Sequence, residues 1–213
     1  MKKALLISVI LISLLFLAVT EVEAQDDLGV GFYGEGIFTT FADEDLEDDE
    51  IDLTTGFGFK GGGEINIDPG LVGAVEFARL TASDTVEDEF QEGETSININ
   101  AIRGNAGINI LEFANADGEE ELSVVLKGGL GYYFGEMEVE ANGMSFTFDL
   151  ESSLGFLVGG EVKHEIIEGL NIKGGTAYRF LETTAEIDDE FVEEPEDVDF
   201  GGLELSAGLS YEF

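Results

Sequence analysis

The sequence predicts an all-β fold: an eight-stranded antiparallel up-and-down transmembrane β-barrel with a polar, side-chain-filled lumen. Three observations carry this. Apolar residues recur at every second position in eight segments, the residues between them are mostly glycine or small and polar, and the acids crowd the connections while the bases stay in the segments. Successive strand side chains point to opposite faces, so a period of two marks a strand with two chemically distinct sides. The 29 Gly and 2 Pro suit strands and turns better than helices.

The first 24 residues stand apart. Met1-Lys2-Lys3 is positive, residues 4–19 are apolar, and Val22-Glu23-Ala24 puts small residues where a signal peptidase needs them. Residues 1–24 therefore read as a signal peptide cleaved after Ala24, and residues 25–213 as one barrel domain. An uncleaved helical anchor needs about 20 apolar residues, more than this run holds. Cleavage removes Lys2, Lys3, Glu21 and Glu23, leaving seven basic residues against 45 acidic ones and a charge of −38. Such acidity excludes nucleic-acid binding by phosphate neutralisation. Hydrophobic residues at 44% and 17 Phe argue against disorder. The absence of cysteine excludes disulfides and a lipid-modified cysteine.

The strands follow in order. In residues 28–41, Leu28, Val30 and Phe32 oppose Gly29, Gly31, Tyr33 and Glu35. In 51–65, Leu53, Thr55, Phe57 and Phe59 oppose Thr54, Gly56, Gly58, Lys60 and Gly62. In 71–82, Val75 and Phe77 oppose Ala74 and Glu76, and Arg79 breaks the alternation so that its direction stays open. Residues 95–111 alternate on both sides of a phase slip at 101–104; a one-residue slip flips the faces, so a bulge is expected there. In 121–135, Leu122, Val124, Leu126, Leu130, Tyr132 and Phe134 oppose Ser123, Val125, Lys127, Gly129, Gly131 and Tyr133.

Asn142-Gly143, a favoured two-residue hairpin turn, leads into a sixth strand whose apolar set is Phe146, Phe148, Leu150, Leu154, Phe156 and Val158. The seventh sets Leu170, Ile172, Thr176, Tyr178 and Phe180 against Asn171, Lys173, Gly175, Ala177 and Arg179. The eighth, 203–213, places Leu203, Leu205, Ala207, Leu209, Tyr211 and Phe213 opposite Glu204, Ser206, Gly208, Ser210 and Glu212. An even number of strands of this length matches tilted membrane-spanning strands.

Connections alternate between two kinds. Residues 42–50, 83–94 and 182–199, together with the hairpin through Asn142-Gly143, are acidic and mostly long; 67–70, 115–118 and 163–169 are short. All seven bases of the mature chain lie in or at the end of a strand. Lys60, Lys127, Lys173 and Arg179, with Glu35, Glu76, Glu161 and Glu204, share the glycine-bearing face, where balanced signs suit a buried network whose charges must be paired. An apolar outside around a polar inside is what lipid demands of a closed sheet, and eight strands leave an interior just wide enough for side chains. Those eight side chains are expected to fill the lumen and leave no open diffusion pore. A secreted lipocalin-type barrel would turn the faces over and give so acidic a protein a glycine-rich surface nearly free of charge.

The terminal alternation through Leu209, Tyr211 and Phe213 resembles the carboxy-terminal signal by which outer-membrane β-barrels are recognised by the barrel-assembly machinery. The chain from residue 25 onward resembles the small eight-stranded outer-membrane barrels, the OmpA transmembrane domain and the OmpX relatives. That resemblance lies in architecture and terminal motif; the loop acidity departs from it. It implies residence in the outer membrane, with membrane lipid and the assembly machinery as partners, and a place in the porin-like families of the cell envelope.

Little chemistry is legible. His164 is the single histidine and falls in an expected periplasmic turn beside Lys163 and Glu165, so no nucleophile-histidine constellation forms at the far rim, and no enzyme is expected. No phosphate loop, dinucleotide fingerprint or Cys/His metal spacing occurs, and no cofactor is expected. Asp43, Asp45, Asp48 and Asp49 are candidates for loop binding of divalent cations through oxygen ligands, without EF-hand spacing. Dense carboxylates equally keep a surface hydrated where salt screens their repulsion, and a salt-loving source is the favoured reading. The function expected is a structural, envelope or surface-interaction role, with a narrow ion or small-solute channel as the alternative.

Overall fold

A computed structural model of the chain describes residues 29–41, 47–48, 51–52, 54–68, 70–88, 91–114, 120–141, 144–186 and 196–213. The expected signal peptide and most of the acidic segments 42–50 and 187–195 lie outside the described residues, as do Asn142 and Gly143. The strands are β1 (Gly29–Thr40), β2 (Glu47–Asp48), β3 (Ile51–Asp52), β4 (Thr55–Asp68), β5 (Leu71–Asp88), β6 (Gln91–Ala114), β7 (Glu120–Ala141), β8 (Met144–Ile167), β9 (Leu170–Phe180), β10 (Glu182–Glu186), β11 (Glu196–Asp199) and β12 (Gly202–Glu212).

Eight of them close a ring in chain order. Each of β1, β4, β5, β6, β7, β8, β9 and β12 pairs antiparallel with the next, and β12 pairs back onto β1 from Gly31 opposite Glu212 to Thr39 opposite Glu204. The register runs from Gly29 through Asn66, Val72, Gly107, Lys127, Gly159, Ala177 and Glu204 back to Thr39 on β1. That stagger obliges the strands to tilt by roughly 35–45° to the barrel axis.

The outside is apolar and exposed: Phe32, Phe57, Phe77, Leu130, Leu154, Val158, Ile172, Leu205 and Leu209 all point away from the lumen. Two glycine populations separate along the strands. A Cβ on outward Gly34 or Gly104 would meet nothing within 4 Å, whereas one on inward Gly58 or Gly208 would fall on a neighbouring carbonyl oxygen, that of Arg79 or of Gly34. The inward glycines let the coiled sheet curl tightly on its concave side.

The short turns lie at the end where β1 begins and β12 finishes. Gly70, at φ 106°, turns β4 into β5, and Gly169, at φ 76°, turns β8 into β9. At the opposite end β5–β8 rise past their neighbours, so the ring becomes a wall. Residues 83–94, expected as a loop, are almost entirely strand: β5 continues to Asp88, β6 begins at Gln91, and their ladder is unbroken between them. Cross-strand neighbours simply extend the pairing that the barrel starts. The wall's outer face carries Glu94, Glu136, Glu138, Glu140 and Asp149, while its inner face carries Ala82, Ile97, Met137, Phe148 and Leu150. β10 and β11 extend the wall beyond β8.

The expected bulge at residues 101–104 is absent. Pairing with β5 runs without a shift from Gln91 to Ile108, and Thr95, Ile97, Ile99, Ala101 and Arg103 all point inward. The apolar pattern changes phase because the lumen changes chemistry, from charged around Arg103 to apolar around Ile97 and Ile99. The converse occurs in β8. Its apolar residues keep one parity from Phe146 to Val158, yet a bulge opposite Tyr133 and Gly135 turns Leu150 inward while Leu154, Phe156 and Val158 face out.

The lumen is therefore not polar throughout, which corrects the sequence expectation. Ile37, Phe41, Ala78, Leu80, Ala82, Ile97, Ile99, Ala101, Tyr133, Leu150, Leu181 and Phe200 form one buried cluster across its upper part, nearest the wall. Phe41 and Phe200 meet edge to face with ring centroids 5.9 Å apart.

Candidate functional site: the lumen and its rims

Below the apolar plug, period-two alternation delivers charges from every strand of the ring to one interior. Glu35, Lys60, Glu76, Lys127, Glu161, Lys173, Arg179 and Glu204 point inward, joined by Glu64, Arg103, Lys163 and Glu212. Six bases thus face six carboxylates.

They fall into two neutral groups. In the lower one, Lys173 Nζ lies 2.8 Å from Glu64 and 3.0 Å from Glu161, and Lys127 lies 2.7 Å from Glu161. Lys60 lies 3.1 Å from Glu35, and Lys163 joins Glu64 at 3.6 Å to Glu212 at the turn-bearing rim. In the upper one, Arg103 reaches Glu204 at 2.7 Å and Glu76 at 3.4 Å, and Arg179 reaches Glu204 at 2.5 Å. Tyr33 ties the groups together: its hydroxyl donates to Glu76 at 2.5 Å, and Lys173 Nζ sits 4.1 Å from its ring centroid. Neutrality within each group is what burial of so many charges requires, because an unpaired one would bear its full desolvation cost.

The arginines also anchor the plug from beneath. Arg179 Nε donates to the Phe200 carbonyl at 2.7 Å and its guanidinium lies 5.2 Å from the Phe41 ring centroid, while Arg103 lies 5.4 Å from the Tyr133 ring centroid. A polar cavity of about 50 Å³ remains beside Lys60, Glu76, Arg103, Lys127, Glu161 and Glu204, room for a few water molecules. It stops below the plug, whose Leu80 is 1% exposed and Ile97 fully buried.

Sequence reasoning missed Glu64, Arg103, Lys163 and Glu212 as lumen residues; Arg103 fell in the phase slip expected at 101–104. Glu64 shares parity with Lys60 on β4, a signal that was present, whereas Lys163 was assigned to a turn. β8 continues to Ile167 and leaves only Glu168 and Gly169 to turn, so Lys163 is a strand residue pointing inward and His164 is an exposed strand residue pointing outward. This corrects the turn expected at 163–169. Of the candidate cation ligands, Asp43, Asp45 and Asp49 lie outside the described residues, and of Asp48 only the strand backbone is described. Among the described residues, no three His, Asp or Glu side chains are grouped to hold a metal ion.

Leu209, Tyr211 and Phe213 face outward on the closing strand. The Tyr211 and Phe213 rings lie 5.0 Å apart, and the Phe213 amide donates to the Val30 carbonyl at 3.0 Å. Arg79, whose direction was open, points out: its Nη2 donates to Asn98 Oδ1 at 3.2 Å on the outer face of the barrel.

Solved structures share this architecture. The chain is similar to the outer membrane protein OprG from Pseudomonas aeruginosa, with 12% identity, 87% of this chain and 95% of that one covered, and a TM-score of 0.59. It is similar to Ail, the attachment invasion locus protein of Yersinia pestis, with 14% identity, 89% and 100% coverage, and a TM-score of 0.52. Neisserial surface protein A matches with 15% identity, 87% and 97% coverage, and a TM-score of 0.50. At these identities the likeness is one of fold. No curated protein sequence matches the chain. Residues 9–213 match the outer membrane protein beta-barrel domain, and the chain belongs to that family.

Proposed function

We propose that the protein is an integral outer-membrane barrel without a conducting pore, whose role is structural or interactive: it maintains the envelope and presents an acidic wall to the cell exterior. The observation that carries this is the division of the lumen into an ion-paired lower part and a buried apolar plug, from Ile37 and Leu80 to Ile97 and Phe200. Water and ions have no continuous polar path through such a plug. The short turns then face the periplasm, and β5–β8 stand outside the membrane with Glu94, Glu136, Glu138 and Glu140 on the outer surface. Ail, the attachment invasion locus protein of Yersinia pestis, has a similar fold.

The channel reading rests on the 50 Å³ polar cavity, which the plug closes at one end. Enzymatic activity has no support in the described site, since His164 faces outward near the turn-bearing end. The signal peptide, a salt-loving source and recognition by the assembly machinery remain parts of the same reading. Two measurements test it. Extraction from outer membranes followed by electrophoresis with and without heating should give a heat-dependent shift, and planar-bilayer recording should give no stable current. A freely soluble protein, or steady single-channel conductance, would overturn it.

A further inference from the structure

We propose that Arg79 forms the core of a binding site for the phosphate group of an outer-leaflet lipid. The site lies outside the lumen and rests on the reading that the barrel is embedded with its wall outward.

Six of the seven bases beyond the signal region point inward, each within 4.0 Å of a carboxylate. Arg79 is the exception. It faces out, and among the described residues its hydrogen-bonding partner is an amide, Asn98, rather than an acid. In a chain of net charge −38, a cation left to a neutral partner on the outer face of the barrel is available to an anion supplied by its surroundings.

The surroundings select that anion. Phe59 lies directly opposite Arg79 on β4, Phe77 precedes it on the same face of β5 and Phe57 lies one pair farther up, so Arg79 stands beside aromatic residues near the upper end of the apolar belt. Lipid phosphates and interfacial aromatics share that level. Thr81 Oγ1 also donates to Asn98 Oδ1, at 3.0 Å. With two donors on its oxygen, the Asn98 amide is fixed in orientation and its NH₂ becomes a second donor beside the guanidinium. On the water side, Glu136 lies opposite Asn98 on β7 and Glu94, Glu138 and Glu140 stand beyond it. Those carboxylates repel an anion approaching from solution, while the membrane side of Arg79 carries none among the described residues. A phosphate held by lipid meets the donors without crossing the acidic wall.

The test uses the full mature barrel in neutral detergent, titrated with a diphosphorylated lipid A, with its dephosphorylated form, and with inorganic phosphate, and followed by native mass spectrometry. The wild type should bind the phosphorylated lipid about tenfold more tightly than Arg79→Gln, the loss expected for one charge-assisted hydrogen bond. Arg79→Lys should recover part of the difference, the dephosphorylated lipid should not discriminate between wild type and Arg79→Gln, and inorganic phosphate should not compete. Equal binding of the phosphorylated lipid by wild type and Arg79→Gln sinks the site. Competition by inorganic phosphate at matched concentration assigns it to a soluble anion and overturns the lipid. A wild type without a heat-dependent electrophoretic shift would instead refute membrane embedding itself, so the two failures are separable.

Discussion

Arg103 and Glu204 meet across the full width of the barrel, from β6 to β12, strands four places apart in a ring of eight. Nη1 donates to Oε2 at 2.9 Å and Nη2 to Oε1 at 2.7 Å, a two-pronged pairing in which Arg103 is 1% and Glu204 4% exposed. Parallel hydrogen bonds of this kind fix geometry as well as charge. The pair acts as a strut holding opposite walls at a set distance.

Replacing Glu204 by Gln should destabilise the folded barrel by about 3–5 kcal/mol, because Arg103 then keeps only Glu76 and Arg179 is left without a paired carboxylate among the described residues. Urea titration in lipid vesicles, read as loss of the unheated electrophoretic form, measures it. An unchanged midpoint would mean that the strut carries no net stability.

The glycines should divide by direction. Gly58→Ala and Gly208→Ala put a methyl group on a neighbouring carbonyl oxygen, so each should lower stability by at least about 2 kcal/mol or block folding. Gly34→Ala and Gly104→Ala meet open space and should change it by less than about 1 kcal/mol, tending to stabilise because alanine has less unfolded-state freedom to lose. The same vesicle-unfolding assay compares all four, and equal losses at inward and outward sites would contradict the two-population reading.

The plug should resist single truncations. Leu80→Ala removes buried volume and should cost about 2–5 kcal/mol without opening a conductance, since Ile37, Ile97, Ile99, Leu181 and Phe200 remain in the same cluster. Bilayer recording on the folded variant checks this, and current from the single variant would show that the plug is one residue thick.

Salt should stabilise the protein generically. On the wall, Glu94 stands opposite Glu140 and Glu136 opposite Asp149, pairs of like charge that repel across the strands. Raising sodium chloride should increase the thermal midpoint by screening, and calcium at equal ionic strength should add little. A saturable calcium effect at micromolar to millimolar levels would indicate a dedicated site instead.

The closed sheet of eight strands was legible because lipid and lumen demand opposite chemistry on alternate residues, and residues such as Phe57 and Lys60 obey. What alternation could not convey is which face a given apolar residue chooses once the interior itself becomes apolar. Ile97 and Ile99 imitate a slipped register that β6 does not have, and Leu150 hides a slip that β8 does have. Lys163 was lost to a turn because charged residues near a strand end read as loop, although β8 runs on to Ile167. Arg79 was ambiguous for a similar reason: a lone cation on an apolar face fits no two-sided pattern, and only its neighbours Asn98 and Thr81 reveal its surroundings.

The ladder that joins Gly31 to Glu212 also sets a timetable. β1 has β4 on one side from the moment both are available, but its other edge stays bare until β12 arrives from the far end of the described sequence. Pairing of such high sequence separation is slow, and an unsatisfied edge is a template for the wrong neighbour. While the ring is open, Phe32 and Phe38 on β1 would also stand in water unless lipid or a chaperone shelters them. The stage before closure is therefore the hazardous one, and the inner face of β4, with Gly56, Gly58 and Gly62 beside Lys60 and Glu64, limits how much of the open sheet can stick to another chain.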